Sequence, residues 1–408
     1  MLARLRSILP VLLGIALAQL ALGALNPLVS LLLVQRGEPT AAIGLVLSCY
    51  FIGFLLGTQF AGRIVDRVGH IRSFAVFAAV AADAALLHAL VDHPIAWAAF
   101  RAISGFALAG VFLVAESWLN HKSDAPTRGR IFAAYLVVSW GASAVGPLAI
   151  NLIRSDGEYV FAMIAMGFAT ALIPMALTVI GNPEIAQRSR FGVRRLMEVS
   201  PLGVVAGFGS GLVNSAYYAM LPVYIERAGL SPALLSVLLT TSLAGGLLTQ
   251  YPVGWIADRH GRRPVALATM LLALVFALAI LVVGTKSFAT LLVLAFLFAG
   301  MMAPLYGLAA GQISDYVAPK DFVAASGGLL FAWALGATAG PTASAAVMSL
   351  LGPSGLFVYA ALVLAAIAAF TIWRMRRRGG VPLEQQSGFV PAAQTPPALA
   401  EIDPRSER

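Results

Sequence analysis

The sequence predicts an all-α membrane protein whose twelve transmembrane helices form two pseudo-symmetric six-helix bundles. Three observations predict it: long apolar runs, positive charge gathered in alternate loops, and a repeat relating the two halves of the chain. Of 408 residues, 60% are hydrophobic and 11% charged. That is more apolar surface than one soluble core of this size can hide, so lipid is the expected solvent.

A helix needs roughly 20 apolar residues to cross a bilayer. Runs of that kind place spans 1 to 6 at about 8–34, 41–62, 73–91, 95–119, 130–153 and 159–181. Spans 7 to 12 follow at about 201–226, 233–257, 264–284, 288–313, 322–350 and 355–374. The domains are therefore 1–181, a basic linker 182–200, 201–374, and a Pro/Ala-rich tail, 375–408, expected to be disordered. The first run resembles a secretion signal, but removing it breaks both the charge pattern and the repeat, so it counts as a span.

Twelve crossings put both termini on one side. Twenty Lys and Arg residues near span ends fall on that side, against Arg36, Arg154, Arg227 and Lys286 opposite. Positive residues favour the cytoplasm, so both termini and the linker are expected there, in an integral membrane protein. The net charge of +9 is thus a topological signal rather than a nucleic-acid footprint. Cys49, the single cysteine, can form no internal disulfide.

Residues 20–147 align with 215–341. Pro27 falls on Pro222, Gly37 on Gly229, and Gly146-Pro147 on Gly340-Pro341. Most telling, "GRIVDRVGHIR" (62–72) falls on "GWIADRHGRRP" (254–264). Six spans per half keep the two halves parallel, related by an axis along the membrane normal. Gly62 and Gly254 let a helix approach closely, and Gly69 and Gly261 suit a turn with positive φ. Asp66 and Asp258 are placed to accept from free N–H groups at the start of a helix. Arg67, Arg72, Arg259, Arg262 and Arg263 complete the loops.

These loops resemble the two copies of the cytoplasmic signature loop of the major facilitator superfamily, following spans 2 and 8. "FRAISGFALAG" (100–110) is similar to its span 4 arginine motif, and "GASAVGP" (141–147) and "GATAGP" (336–341) to its span 5 Gly-Pro motif. "IGLVLSCYFIGFLLG", "GHIRSFA" and "ESWLN" resemble the YcaD-type branch. The resemblance implies a transporter working by alternating access. Asp66 would pair with the start of span 11 and Asp258 with the start of span 5, latching the cytoplasmic side. The Gly-Pro motifs, through Gly146, Pro147, Gly340 and Pro341, imply helix packing and an antiporter. Spans 1, 4, 7 and 10 are implied to line the cavity, which brings forward Gln19, Asn26, Asn214, Tyr217, Tyr218 and Tyr306, with Trp140 and Trp333 as aromatic walls.

Charges at membrane depth cost about 2.5–3.5 kcal/mol on insertion scales, so each requires an account. Arg101 lies roughly 10 Å below the end of span 4, at ~1.5 Å per residue from Pro94. It is either a group facing the cavity or a structural partner for Asp83 on span 3. Glu116 lies near the signature loop and is expected to pair with Arg67, Arg72 or Arg128 as part of a gate, with a proton-carrying role as the alternative. His88 reads as an interfacial ring, and Trp97 as a belt residue.

The chain has no Walker loop and no His-Glu-x-x-His motif, which argues against an ATP-driven pump and an intramembrane metalloprotease. No enzyme activity, cofactor or metal is expected. The reading is a monomeric carrier of a small solute, with proton-coupled efflux of a drug or metabolite leading. Uptake by symport or uniport, or a non-transporting sensor or scaffold, are the alternatives. The expected partners are the solute, protons and the lipid bilayer, not nucleic acid.

Overall fold

The computed structural model describes residues 2–123, 128–152, 158–177, 192–284, 286–318 and 321–392. The first half comprises α1 (Leu2–Gln35), α2 (Thr40–Val68), α3 (His70–Leu90), α4 (Pro94–Lys122), α5 (Arg128–Val145) and α6 (Glu158–Ala176). A 3₁₀ segment, Gly146–Leu152, prolongs α5. The short α7 (Val193–Val199) lies in the linker. The second half comprises α8 (Pro201–Arg227), α9 (Pro232–His260), α10 (Arg262–Val283), α11 (Phe288–Met302), α12 (Pro304–Ser314), α13 (Phe322–Leu351) and α14 (Gly355–Arg377).

Eleven helical segments among the described residues are long and apolar enough to cross a membrane. The twelfth expected span, α8, is not among them, because Asn214, Tyr217, Tyr218 and several glycines dilute its apolar residues. It is nonetheless 27 residues long, or about 40 Å at ~1.5 Å per residue, enough to span. Span 10, expected as one helix, is α11 and α12 joined at Ala303. Pro304 opens α12 and cannot donate to the turn before it, so the ladder breaks there.

The repeat is visible in the backbone. α1 and α8 end alike, with Gly37 and Gly229 at φ of 78° and 73°. The Glu38 N–H reaches the Leu33 carbonyl, and Leu230 N–H that of Ile225, each at 3.1 Å. This is the Schellman closure, which glycine's missing Cβ permits. Gly69 joins α2 to α3 at φ 85°, and Gly261 joins α9 to α10 at φ 87°. A Cβ on Gly146 would lie 2.5 Å from the Leu20 carbonyl oxygen, and one on Gly340 would lie 2.5 Å from that of Leu212. The Gly-Pro motifs therefore press α5 onto α1 and α13 onto α8, at backbone-to-backbone distance.

The face carrying the start of α1, the end of α14 and both signature loops is called the terminus face below, and the opposite one the far face. On the terminus face the tail differs from the expected disorder. α14 continues to Arg377, residues 383–385 form a 3₁₀ turn, and the described chain runs on to residue 392 against α9, α10 and α12. Residues 393–408, with Arg188 and Arg190 of the linker, lie outside the described residues.

Candidate functional site

The two halves meet along a seam that holds a cavity of about 270 Å³. Its lining joins Gln19 and Asn26 of α1, Tyr50, Phe51 and Phe54 of α2, and Tyr135, Ser139, Trp140 and Ser143 of α5. From the other half come Asn214, Ser215 and Tyr218 of α8, Leu239, Leu243 and Gly246 of α9, and Trp333 of α13. Among the described lining residues none is charged. Ser139 Oγ, Ser215 Oγ and Trp333 Nε1 are buried and have no hydrogen-bond partner among the described residues. Buried polar groups are normally satisfied, so these three are spare hydrogen-bonding groups on a wall that also carries Gln19, Asn26 and Asn214.

The hydrogen bonds between the halves lie toward the far face. Ser30 Oγ donates to Ala219 O (2.7 Å), Thr240 Oγ1 to Ala144 O (2.8 Å) and Ser236 Oγ to Asn151 Oδ1 (3.0 Å). Ser48 and Thr342 share a hydroxyl hydrogen bond of 2.8 Å, and Arg227 donates to Glu38 O. α2 and α13 are in close backbone contact at Gly44. A Cβ there would lie 2.4 Å from Ala345 Cβ and 2.7 Å from Pro341 O. The far side of the cavity is sealed by this packing.

On the terminus face the expected latches are not formed among the described residues. Asp66 is exposed, as are Arg67 and Arg72, and no described contact joins Asp66 to the start of α13. Asp258 accepts instead from Phe389 N at 2.7 Å. Gly62 is buried on α2, and Arg259 lies over the Trp255 ring at 3.6 Å. Arg262, which the sequence places in an exposed loop, is 1% exposed and ion-paired with Asp315. Arg263 donates to Tyr316 Oη at 2.5 Å.

Arg101 is 2% exposed and lies behind the cavity wall rather than in it. Its Nη2 donates to Asn26 Oδ1 at 2.7 Å, and its guanidinium lies 4.7 Å from the Tyr50 ring centre. Nε and Nη1 have no hydrogen-bond partner among the described residues. Asp83, the alternative partner, is exposed on a different face of α3, so the structural pairing is not made. Glu116 is fully buried and accepts from the hydroxyl of cavity-lining Tyr135 at 2.7 Å. Arg67 and Arg72 point to solvent and do not pair with it, and the side chain of Arg128 lies outside the described residues.

Other expectations also change. Tyr217 turns away from the cavity, 1% exposed, with its hydroxyl bound to Ser242 at 2.7 Å and its ring 5.1 Å from Phe298. Tyr306 is buried with its ring 6.2 Å from Trp333, behind the wall that Trp333 makes. Span 4 gives the lining only Phe112, and span 10 only Ala303. His88 is buried and stacked on Phe161 rather than interfacial, and Trp97 is fully buried with its N–H on Val91 O. Sequence reasoning missed Tyr50, Phe51, Phe54, Tyr135, Ser139, Ser143 and Ser215. The "SCYFIGF" run was the available signal, since polar and aromatic groups interrupt an aliphatic span there.

Comparison with known proteins agrees with this architecture. The Major Facilitator Superfamily profile matches residues 11–231 and 203–402. An uncharacterised MFS-type transporter of Enterobacter sp. (strain 638) is 28% identical over 377 residues, covering 92% of this chain and 96% of that protein. YcaD of Salmonella typhimurium, also an uncharacterised MFS-type transporter, is 27% identical over 379 residues, covering 92% and 97%. Among solved structures, the nucleoside transporter NupG superposes with a TM-score of 0.72 at 16% identity, over 90% of this chain and 98% of that one. A bacterial homologue of the human lysosomal transporter Spinster, inward-facing and unoccupied, gives 0.73 at 14% identity, over 95% and 99%. With two like halves around a shared cavity and a profile match along nearly its whole length, this chain belongs to the major facilitator superfamily and resembles its YcaD-type members.

Proposed function

We propose that this chain carries a small, uncharged, amphipathic molecule across a bacterial inner membrane, in exchange for protons, with both termini in the cytoplasm. The observation that carries the reading is the seam cavity, walled by aromatic rings and lined with uncharged hydrogen-bonding groups. Such a chamber stacks an apolar ring and satisfies polar substituents, whereas a full charge would find no counter-ion on its walls. Twenty positive residues against four support the cytoplasmic termini. The structure then corresponds to the cytoplasm-facing half of an alternating-access cycle, with the periplasmic side sealed around Gly44.

Glu116 is the proton carrier in this reading. It is buried on α4 and one hydrogen bond from the cavity through Tyr135, so occupancy of the cavity and protonation of Glu116 share a contact. Arg101 raises the positive potential behind Asn26 and Tyr50 and disfavours cations in the chamber. In the closed state, Asp66 and Asp258 would cap the starts of α13 and α5. The test is purified protein in liposomes holding a pH-sensitive dye, with solutes first selected by thermal shift. Solute-dependent proton movement that Glu116→Gln abolishes supports exchange. Solute flux that moves no protons would refute it.

A further inference from the structure

The structure assigns a peptide-binding site to the terminus face of the second half, and its occupant is the chain's own segment 386–390. Phe389 is the centre of it. Its N–H donates to Asp258 Oδ1 at 2.7 Å, while its ring covers Gly254 and Gly307. A Cβ on Gly254 would lie 2.0 Å from the Phe389 ring, and one on Gly307 would lie 3.1 Å from it. Only glycines on α9 and α12 leave that seat open.

The neighbouring residues anchor the same segment. Buried Arg262 donates through Nη2 to Ser387 Oγ (3.0 Å) and to the Ser387 carbonyl, and through Nη1 to Gly311 O (2.6 Å). Ser387 N donates to Asp315 Oδ1 at 3.1 Å, and Ser387 Oγ shares a hydrogen bond with Ser314 Oγ at 2.9 Å. Gln386 Oε1 accepts from Arg262 N (3.3 Å), and Arg263 Nη1 donates to Arg378 O (2.7 Å). Asp258, Arg262 and Arg263 of the second signature loop are all engaged by the tail. In the first loop Asp66, Arg67 and Arg72 are exposed.

This placement has a mechanical consequence, which rests on the alternating-access reading above. Closing the cytoplasmic mouth needs a helix packed on Gly254 and backbone N–H groups presented to Asp258. Phe389 supplies both already, one with its ring and the other with its N–H. Tail docking and closure are therefore mutually exclusive, and the segment is a strap that holds the chain open to the cytoplasm. Releasing it removes a half-buried aromatic ring and a charge-assisted hydrogen bond from the open state only, shifting the balance toward closure by about tenfold.

The test uses the full chain with Cys49→Ser, spin labels on His121→Cys and Ala318→Cys at the two sides of the mouth, and the distance distribution between them. A stop after Val381 and, separately, Phe389→Ala should each raise the short-distance population about tenfold. A synthetic peptide of residues 382–392 added to the truncated chain should reverse the shift. Gly44→Ala, which wedges the far face apart without touching the tail, serves as the control. If Gly44→Ala shortens the distance and neither tail variant does, the strap is refuted. If truncation acts but Phe389→Ala does not, the Phe389 seat is refuted. If neither the tail variants nor Gly44→Ala changes the distance, the alternating-access reading itself fails; if the tail variants act and Gly44→Ala does not, only the Gly44 seal is refuted.

Discussion

Gly44→Ala is the sharpest probe of how the halves move. The added methyl carbon would sit 2.4 Å from Ala345 Cβ, where ordinary contact begins at 3.4 Å, so α2 and α13 must part by about 1.0 Å (3.4 − 2.4). No rotamer relieves this, because the opposing atoms are a Cβ and a backbone oxygen. Parting also stretches the Ser48–Thr342 contact (2.8 Å) and the Thr342 donation to Gly44 O (3.3 Å). Overpacking of this kind costs roughly 1–3 kcal/mol. At ~1.4 kcal/mol per tenfold, the ratio of cytoplasm-open to cytoplasm-closed molecules falls roughly 5- to 140-fold. The gain in helix propensity of alanine over glycine, about 1 kcal/mol, applies in both states and cancels. Spin-label distances across the cytoplasmic mouth read the shift directly. A folded variant with an unchanged or longer distance distribution would refute the claim that this contact seals the far side.

Glu116→Gln should leave solute-induced thermal shifts intact while abolishing solute-driven proton movement, and a loss of both together would contradict a carrier role. Arg101→Met removes a buried charge that has no carboxylate partner, so the melting temperature should hold or rise while transport falls; a marked drop in melting temperature would make Arg101 structural. Gly105→Ala drives a methyl to 1.9 Å from the Tyr50 carbonyl oxygen, and should lower stability by about 1–3 kcal/mol in a melt. Trp333→Phe keeps the wall but deletes an unpartnered N–H, so solute affinity should fall up to about tenfold, and an unchanged Kd would remove Trp333 Nε1 from the site.

The fold was legible because lipid imposes long apolar runs and the positive residues sort between them. The paired turns were legible too, since Gly37, Gly69, Gly229 and Gly261 mark places where φ is positive. The cavity was less so. A helix in a bundle is apolar on both its lipid and its protein sides, which erases the periodicity that shows a soluble helix's inner face. Tyr217 and Tyr218 illustrate this: they are neighbours of one type, yet one faces the aromatic core and the other the cavity. Tyr50 and Phe54 read as ordinary membrane aromatics until Trp333 arrives beside Phe54 from the other half. Phe389 was hidden for another reason. Pro and Ala around it give a disordered composition, while its partners Gly254 and Asp258 are distant in sequence.

The polar content of α8 also bears on biogenesis. Asn214, Tyr217 and Tyr218 shape the middle of the molecule, yet they weaken the partitioning of this segment from the translocon into hydrocarbon. Its close neighbour is α13, whose Trp333 carbonyl lies 2.2 Å from a Cβ placed on Gly211, and α13 leaves the ribosome long after α8 does. Newly made α8 is therefore enclosed only once its late-emerging partner α13 has been made.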